Sequence, residues 1–286
     1  MTVLLDEPMK NHTTFRIGGL ADALAMPQNK AEMLRTLQLC RARGVPFFIL
    51  GNGSNLLVRD GGIRGVVIKT CDLNAVEING ETVTAEAGML LSALAAKVGE
   101  AELADFEFAA GIPGSLGGAI FMNAGAYGGE MKDVIEEVEC VDKDGNLLTL
   151  SNGGMKFSYR HSAAESGELI VLSAKLKLRH GNRDEIFAKI RDYNSRRREK
   201  QPLEMPSAGS TFKRPIGSYA GRLIMDSGLA GFFVGGAMVS PKHCGFVVNK
   251  GGATAADVLD LIEHIRRVVN ENYGILLEPE IKVIGE

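Results

Sequence analysis

Two glycine-rich segments of the chain offer backbone that a ligand could approach closely. The first, Gly51, Asn52, Gly53, Ser54 and Asn55, directly follows a short apolar run. Glycines in such a place allow successive backbone N–H groups to line one concavity, which can bind a phosphate group. The ordinary alternative for an isolated Gly-Asn-Gly is a tight turn. This segment alone therefore does not distinguish a binding loop from a turn.

The second segment has too many glycines for a simple turn. Four glycines between residues 111 and 118 surround a proline and a serine, and a run of small apolar residues follows. The first segment is not a GxGxxG pattern, because Leu56 occupies the place of the third glycine, and no GxxxxGK[ST] pattern occurs in the chain. Two glycine-rich loops without those patterns indicate a dinucleotide clamped between domains.

Three polar residues far apart in the sequence are also candidates for chemistry. They are Arg160 in FSYRHS, Ser210 in SAGSTFKRP and Glu280 in LEPEIKV. An arginine is usually a surface charge, a serine beside glycine is usually part of a turn, and a glutamate on a terminal strand usually faces solvent. The physical chemistry of the sequence alone does not select these three.

The elements that must position these residues have clear local signals. Asn29 is predicted to cap a helix that runs to about Arg43, and Gly44 is suited to end it. Apolar runs predict strands at residues 46–50 and 65–69, so the first seventy residues are predicted to form a small α/β unit.

Two hairpins and a helix are predicted to form an α+β domain up to about residue 180. Asn79-Gly80 and Asp144-Gly145 are strong hairpin signals, and a helix is predicted near residues 90–100. Helices are then predicted to begin at Asn182 and at Thr254, the second ending near Gly274. The predicted boundaries are 1–70 and 71–181 for two cofactor-binding subdomains, 182–274 for a substrate domain and 275–286 for a last strand.

Composition excludes several classes of function. The 32 basic and 35 acidic residues give a net charge of −3, so no broad basic field is available for nucleic acid or an anionic membrane. The cysteines and histidines show no metal-ligand spacing, so no metal site is predicted, and the cysteines are interpreted as reduced thiols. The N-terminus lacks a signal-peptide pattern and no long apolar run follows, so we expect a cytoplasmic protein without membrane insertion.

The candidate segments together resemble the UDP-N-acetylenolpyruvoylglucosamine reductase family. The motifs that carry the resemblance occur in the family's order and cover nearly the whole chain. They are NHTTFRIGG, ILGNGSNLLV, GIPGSLGGAIFMNAGAYGGE, FSYRHS, AGSTFKRP and LEPEIKVIG. The resemblance implies an α+β fold, in which a two-subdomain FAD-binding fold of the vanillyl-alcohol-oxidase type is followed by a C-terminal α+β substrate-binding domain.

The resemblance also implies a reaction. The family reduces the enolpyruvyl ether of UDP-N-acetylglucosamine to the lactyl ether of UDP-N-acetylmuramate in peptidoglycan precursor synthesis, with tightly bound, non-covalent FAD and with NADPH as hydride donor. It assigns Arg160 to the carboxylate of the substrate, Ser210 to proton donation at carbon and Glu280 to a place beside the forming enolate. A carboxylate there would repel the enolate, so we expect the pKa of Glu280 to be raised.

The family's motifs also name binding residues. For the diphosphate of the substrate they point to Lys200, with Lys213 and Arg214 as weaker candidates, whereas Arg196, Arg197 and Arg198 are interpreted as a solvated charge run. The predicted FAD contacts are Gly51, Asn52, Gly53, Ser54, Asn55, Pro113, Gly114, Ser115, Gly117, Gly118, Asn123 and Gly125.

One departure from the family's pattern concerns the substrate site. The longer variant of the family carries a tyrosine-bearing loop between the catalytic arginine and serine, but here only 50 positions (210 − 160) separate the two. The chain thus resembles the shorter variant. Tyr127 is predicted either to line the substrate site or to pack as an ordinary aromatic residue.

Two other functions remain open at this point. A flavoenzyme of the same fold that oxidises an alcohol or a 2-hydroxy acid would share the glycine-rich loops, but it has no need for the AGSTFKRP and LEPEIKVIG motifs. A non-catalytic nucleotide-binding module would use the loops alone, and a flavin spectrum in the purified protein would argue against it.

Overall fold

The computed structural model describes all 286 residues, which form two compact units. The first unit comprises Met1–Leu4, Leu24–Asn52 and Val66–Arg197, and the second comprises Leu5–Ala23, Gly53–Gly65 and Arg198–Glu286. The boundaries expected at residues 70, 181 and 274 stay predictions, because each unit is assembled from several stretches of chain.

The chain contains six α-helices, eighteen short strands and several single turns of 3-10 helix. The helices are α1 (Lys30–Ala42), α2 (Leu91–Glu100), α3 (Leu116–Phe121), α4 (Arg183–Lys200), α5 (Ala220–Asp226) and α6 (Ala255–Tyr273). The strands are β1 (Thr2–Pro8), β2 (Leu20–Met26), β3 (Phe47–Leu50), β4 (Leu56–Val58), β5 (Ile63–Lys69), β6 (Val76–Asn79), β7 (Thr82–Glu86), β8 (Leu103–Ala104), β9 (Gly125–Ala126), β10 (Gly129–Glu130), β11 (Ile135–Asp142), β12 (Leu147–Ser151), β13 (Leu169–Lys177), β14 (Arg179–His180), β15 (Phe233–Val234), β16 (Ala237–Val239), β17 (Val247–Asn249) and β18 (Lys282–Ile284).

The largest sheet lies in the first unit and has the strand order β12-β11-β13-β7-β6. All of its neighbouring strands are antiparallel, and both predicted hairpins belong to it. In the first hairpin Asn79 pairs with Thr82, so the two loop residues are Gly80 and Glu81. Gly80 has a φ of 58°, which explains why the turn needs glycine there.

Three smaller sheets complete the strand pairing relevant to the candidate site. Four strands pair in the order β1-β2-β5-β3, and β3 runs parallel to β5. In the second unit, β15-β16-β17 form an antiparallel sheet and β18 runs parallel to β4. The final strand is shorter than predicted, because Pro279 has no N–H to donate and the N–H of Glu280 is bonded to the carbonyl of Thr211.

Each unit has its own apolar core. In the first unit α2 and α3 pack on the sheet through residues that include Leu91, Leu94, Leu116 and Ile120. Burying a side chain of this size typically stabilises a fold by about 1.5–3 kcal/mol. The second unit has a separate core to which α5, α6 and the β15-β16-β17 sheet contribute. The short helix α3, which begins within the second glycine-rich segment, is therefore anchored by apolar contacts.

Two predicted helix starts are confirmed in atomic detail. The Asn29 side chain accepts a hydrogen bond from the Glu32 N–H at 2.9 Å, and α1 follows. Thr254 and Asp257 form a reciprocal capping box at the start of α6, which ends at Gly274 with a φ of 67°. None of the six helices combines the length and the apolar composition that a membrane-spanning helix needs.

Candidate active site

Gly51, Asn52 and the second glycine-rich segment lie together in the first unit. The side-chain amide of Asn52 donates to the carbonyl of Pro113 at 2.7 Å. A Cβ atom on Gly51 would lie only 2.5 Å from the Ser115 hydroxyl oxygen, so that position requires glycine. The structure thus brings together two segments that the sequence separates by more than sixty residues.

Backbone hydrogen bonds hold the second loop in place. The N–H groups of Leu116 and Gly117 donate to the carbonyls of Met89 and Ala87, both at 2.8 Å. A Cβ atom on Gly117 would lie 2.9 Å from the Cβ of Ala87, which explains a glycine in the first turn of α3. The loop is thereby fixed against the chain that leaves β7.

Ser115 carries the clearest sign of a ligand in this loop. Its hydroxyl group is buried, with 2% of the residue exposed, and has no hydrogen-bond partner. Such a group normally finds a partner, because leaving it unpaired destabilises a protein by roughly 1–3 kcal/mol. A buried hydroxyl between Gly51 and Gly118 fits a ligand that supplies oxygen atoms at close range, such as the diphosphate of FAD.

The structure places Arg160 in a tight turn of the first unit. The backbone N–H groups of Ser158 and His161 each donate to the other's carbonyl, at 3.0 and 3.1 Å. Arg160 has a φ of 55°, in the left-handed region, and its guanidinium lies 4.9 Å from the ring centroid of Tyr159. The buried amide of Asn123 donates to the Ser158 carbonyl at 3.0 Å. A predicted cofactor contact thus bonds to the turn that carries the predicted catalytic arginine.

Ser210 and Glu280 lie on adjoining segments of the second unit. The Glu280 N–H donates to the Thr211 carbonyl at 2.8 Å, and the Lys213 N–H donates to the Glu278 carbonyl at 2.9 Å. Thr211 is buried and its hydroxyl accepts a bond from the N–H of Val247, whereas Ser210 is exposed. These bonds fix the backbone on which both predicted catalytic side chains are carried.

The remaining residues of the first glycine-rich segment, Gly53 to Asn55, belong to the second unit and lie against the segment that carries Glu280. The Asn55 amide donates to the Glu280 carbonyl at 3.2 Å, and the Asn55 carbonyl accepts from the N–H of Lys282 at 3.0 Å. Gly53 packs so closely on His12 that a Cβ atom would lie 2.2 Å from its carbonyl oxygen. Asn55 therefore positions Glu280, and glycine is required at position 53.

Thr14 is a positioning residue that the sequence did not reveal. Its hydroxyl donates to the Ser207 carbonyl at 2.6 Å, and its N–H donates to the Gly53 carbonyl at 3.1 Å. It therefore connects the first glycine-rich loop to the segment that leads into Ser210. Its place in the NHTTFRIGG motif was the only available signal.

The predicted substrate lysines and arginine differ in their surroundings. Lys200 is exposed at the C-terminal end of α4, and the Lys213 ammonium is paired with Glu278 at 2.5 Å. The Arg214 guanidinium lies 4.0 Å from the ring centroid of Tyr219, which is 59% exposed. No sequence pattern pointed to Tyr219, although an exposed aromatic ring that holds a cation is a suitable nucleotide contact.

The interpretation of the basic run at the end of α4 was wrong for Arg197. Arg196 and Arg198 are exposed, as expected, and Arg196 pairs with Asp192 at 2.7 Å. Arg197 is instead half-buried and donates to the Gly111 carbonyl, and burial lowers the pKa of its guanidinium. Arg197 therefore holds the start of the second glycine-rich loop.

Tyr127 contacts Tyr193 within the first unit. Its ring stacks on that of Tyr193 with centroids 4.2 Å apart, and its hydroxyl donates to the Tyr193 carbonyl at 2.9 Å. Burial raises the pKa of its phenol. These contacts agree with a packing role, while 40% exposure leaves one part of the residue open to a ligand.

Known protein families and relatives match the chain along nearly its whole length. The model of the UDP-N-acetylenolpyruvoylglucosamine reductase C-terminal domain matches residues 201–284, and the model of an FAD binding domain matches residues 21–151. The chain is 57% identical over 282 residues to the UDP-N-acetylenolpyruvoylglucosamine reductase of Caldanaerobacter subterraneus subsp. tengcongensis, covering 99% of this chain and 93% of the relative. It is 52% identical over 285 residues to the enzyme of the same name from Clostridioides difficile, covering 99% and 94%.

A solved structure gives the same result for the fold. The crystal structure of UDP-N-acetylenolpyruvylglucosamine reductase from Thermus caldophilus superimposes with a TM-score of 0.85 at 37% identity. The match covers 99% of this chain and 98% of that chain. The two-subdomain FAD-binding fold with a C-terminal substrate domain, expected from the sequence, is confirmed.

Proposed function

The chain belongs to the UDP-N-acetylenolpyruvoylglucosamine reductase family, and from that premise we propose how its residues carry out the family's reaction. It is an FAD-containing oxidoreductase that reduces the enolpyruvyl group of UDP-N-acetylenolpyruvoylglucosamine in peptidoglycan synthesis. NADPH as the direct reductant and a cytoplasmic location are part of the proposal. When bound, FAD supplies the transfer of a hydride from NADPH to the substrate.

Ser115 and its neighbours hold the cofactor in this proposal. The buried, unpartnered hydroxyl of Ser115 and the close approach allowed by Gly51 fit one end of a dinucleotide. Asn52 and Pro113 lie beside them, because their hydrogen bond joins the two loops. The other predicted FAD contacts at Gly53, Ser54, Asn55, Gly114, Gly117, Gly118 and Gly125 remain part of the same proposal. Asn123 is not included with its side chain, because both N–H groups and the oxygen of its amide bond to other residues of the chain.

Arg160 binds the carboxylate of the enolpyruvyl group. A guanidinium can bind a carboxylate through two parallel hydrogen bonds and stays charged at every relevant pH. When the neighbouring carbon gains negative charge, that charge spreads into the carboxylate, so the same contact becomes stronger in the transition state. Removing one stabilising donor of this kind typically raises the barrier by about 3–4 kcal/mol.

Ser210 donates the proton to the carbon beside the carboxylate. A neutral hydroxyl is sufficient, because the carbon is a strongly basic centre, and positioned proton donation typically contributes about 10²–10⁴-fold. Glu280 lies beside the same carbon. The observation that carries this assignment is the hydrogen bond between the Glu280 N–H and the Thr211 carbonyl, which sets Glu280 next to the residue that follows Ser210.

The diphosphate of the substrate is bound by Arg214 and Lys200, with Lys213 as a weaker contact. Tyr219 supports this assignment because its ring holds the Arg214 guanidinium at 4.0 Å. Tyr127 is the weakest candidate, since its hydroxyl and one ring face already contact Tyr193.

An anaerobic two-step experiment tests the proposal. Purified holoenzyme is mixed with NADPH while flavin absorbance is followed, and UDP-N-acetylenolpyruvoylglucosamine is then added. We expect bleaching by NADPH and recovery on addition of the substrate. Bleaching without recovery in the parent protein would refute the assigned substrate and favour an oxidase or dehydrogenase of the same fold, and failure to bind flavin would refute the whole proposal.

Ser210→Ala run in parallel isolates the proton donor. We expect normal bleaching by NADPH and recovery slowed by about 10²–10⁴-fold. Ser227→Ala is the matched control, because its hydroxyl accepts only an exposed hydrogen bond from Asn272. Recovery at the parent rate in Ser210→Ala would contradict the role of Ser210 without contradicting the overall reaction.

A further inference from the structure

The side chain of Asn123 is fully engaged inside the first unit. The residue is 0% exposed, and its amide nitrogen donates to a Glu130 carboxylate oxygen at 2.6 Å and to the Ser158 carbonyl at 3.0 Å. Its amide oxygen accepts a bond from the Lys132 N–H at 2.9 Å. Both N–H groups of the amide are thus used by the protein. Such an amide is suited to fix its neighbours rather than to bind a ligand.

One of these bonds ends on the turn that carries Arg160. Ser158 and His161 close the turn through two backbone hydrogen bonds, and Arg160 between them has a φ of 55°. This left-handed conformation is rare for a residue with a side chain and persists only where its surroundings hold it. The Asn123 amide supplies such a restraint, because it bonds the carbonyl of the first residue of the turn.

Glu130 in turn orients the Asn123 amide. Its carboxylate is held by the Asp133 N–H in a reciprocal capping box and by the Lys132 ammonium at 3.3 Å. With the carboxylate fixed, the amide nitrogen must face it and the amide oxygen must face away. That orientation is the one in which the second N–H reaches Ser158.

We infer that Asn123, oriented by Glu130, is a positioning residue for Arg160 in the reduction of the substrate. This inference rests on the proposed function of Arg160. It assigns the Asn123 side chain to the turn at residues 158–161, and leaves FAD to the Ser115 end of α3. A bound carboxylate requires the guanidinium within a narrow range of positions, and a displacement of about 1 Å can lower the rate of the chemical step by roughly 10²-fold.

Asn123→Gly is the most informative variant. Asn123 has a φ of 41°, which glycine adopts freely, so the substitution removes the amide without adding backbone strain. In the holoenzyme we expect FAD retention and bleaching by NADPH at the parent rate. Recovery on UDP-N-acetylenolpyruvoylglucosamine should slow by about 10- to 100-fold, with a higher KM for that substrate.

Asn152→Ala is the matched control. Its amide nitrogen donates to the carbonyls of Lys132 and Ile135, both at 2.7 Å, so the variant loses two hydrogen bonds of one amide in the same unit, compared with three in Asn123→Gly. It has no bond to the turn at residues 158–161. We expect both variants to lose thermal stability, Asn123→Gly more than Asn152→Ala, but slow recovery only in Asn123→Gly.

Hydrogen exchange gives a test that does not depend on turnover. The His161 N–H is bonded to the Ser158 carbonyl, so its exchange reports on the turn. Exchange should accelerate in Asn123→Gly and stay at the parent rate in Asn152→Ala. Glu130→Gln keeps an acceptor for the amide and should retain more activity than Glu130→Ala.

The outcomes separate this inference from the proposed function. If the parent enzyme recovers on substrate but Asn123→Gly matches Asn152→Ala in both recovery and exchange, the positioning role is refuted. Equal slowing of NADPH oxidation and substrate reduction would also refute it, because that result indicates general damage. If the parent itself fails to recover, the proposed function fails first.

Discussion

Replacement of Ser115 by alanine should change stability and cofactor binding in opposite directions. The hydroxyl is buried, with 2% of the residue exposed, and it makes no hydrogen bond within the chain. An alanine methyl group fits the space of the serine side chain without its oxygen. The substitution therefore removes a polar atom that the folded chain alone does not satisfy.

The effect on the protein without FAD follows from desolvation. A buried donor that lacks a partner destabilises the folded state by about 1–3 kcal/mol relative to a satisfied or absent group. Ser115→Ala should raise the free energy of unfolding of the apoprotein by up to that amount. Most substitutions in a protein core lower this free energy, so the expected sign is unusual.

The effect on FAD binding has the opposite sign. If the hydroxyl donates to a phosphate oxygen, the lost hydrogen bond to a charged group corresponds to about 1.5–3 kcal/mol. Because each 1.4 kcal/mol corresponds to a factor of ten, the Kd for FAD should rise by roughly 10- to 150-fold. A plain turn at this position would leave the Kd unchanged.

Urea unfolding across a series of FAD concentrations measures both the free energy of unfolding of the apoprotein and the Kd for FAD. The increase of the unfolding free energy with FAD concentration gives the Kd, and its value without FAD gives the stability of the apoprotein. Ser162→Ala is the control, because this buried hydroxyl donates to the Phe121 carbonyl at 2.9 Å. It should lower stability by about 1 kcal/mol and leave FAD binding unchanged. A less stable apoprotein with unchanged affinity for FAD in Ser115→Ala would refute the reasoning.

Three further predictions concern other parts of the chain. Tyr219→Ala removes the ring under Arg214, so it should raise the KM for the UDP-sugar by about 2- to 5-fold at unchanged kcat. Steady-state kinetics with Tyr219→Phe as the control checks this prediction. Hydrogen bonds, mainly from the Thr254 N–H, lower the pKa of Asp257, so the ionised form stabilises the fold above the ordinary aspartate pKa. Unfolding curves should show Asp257→Asn less stable than the parent by about 0.5–1 kcal/mol at pH 7. This difference should disappear as the pH falls through the lowered pKa that Asp257 has in the folded protein. Burial raises the pKa of the Cys140 thiol to about 12, so mass spectrometry should find it unalkylated at pH 8 in the folded protein and alkylated after unfolding.

Short-range signals predicted the helices and hairpins well, because the physical causes lie within a few residues. The Asn29 cap and the Thr254 capping box each depend on groups only three residues apart. The hairpin at Gly80 depends on one residue with a positive φ. In such places the sequence contains the whole interaction, and the structure adds only its distances.

Long-range contacts account for what the sequence did not reveal. Nothing near Arg197 distinguishes it from Arg196 and Arg198, since Ile186 is the only buried residue of α4 and no apolar stripe marks the packed face. Its contact is the carbonyl of Gly111, 86 positions away. The role of Thr14 likewise depends on Ser207, 193 positions away. Partners this distant leave no periodicity for a single sequence to show.

The helix α3 explains why the cofactor loop and the arginine turn belong to one rigid part of the first unit. Ser115 is the N-cap of α3 and Asn123 lies two residues beyond its last residue, Phe121. Six helical residues span only about 9 Å, and two of them, Leu116 and Ile120, are completely buried. Because the helix cannot shift without disturbing that core, a change at the Ser115 loop and a change at the Asn123 amide act on opposite ends of the same fixed element. Ser115 variants should therefore alter FAD binding, Asn123 variants should alter substrate reduction, and a double variant should show the two effects as independent and additive.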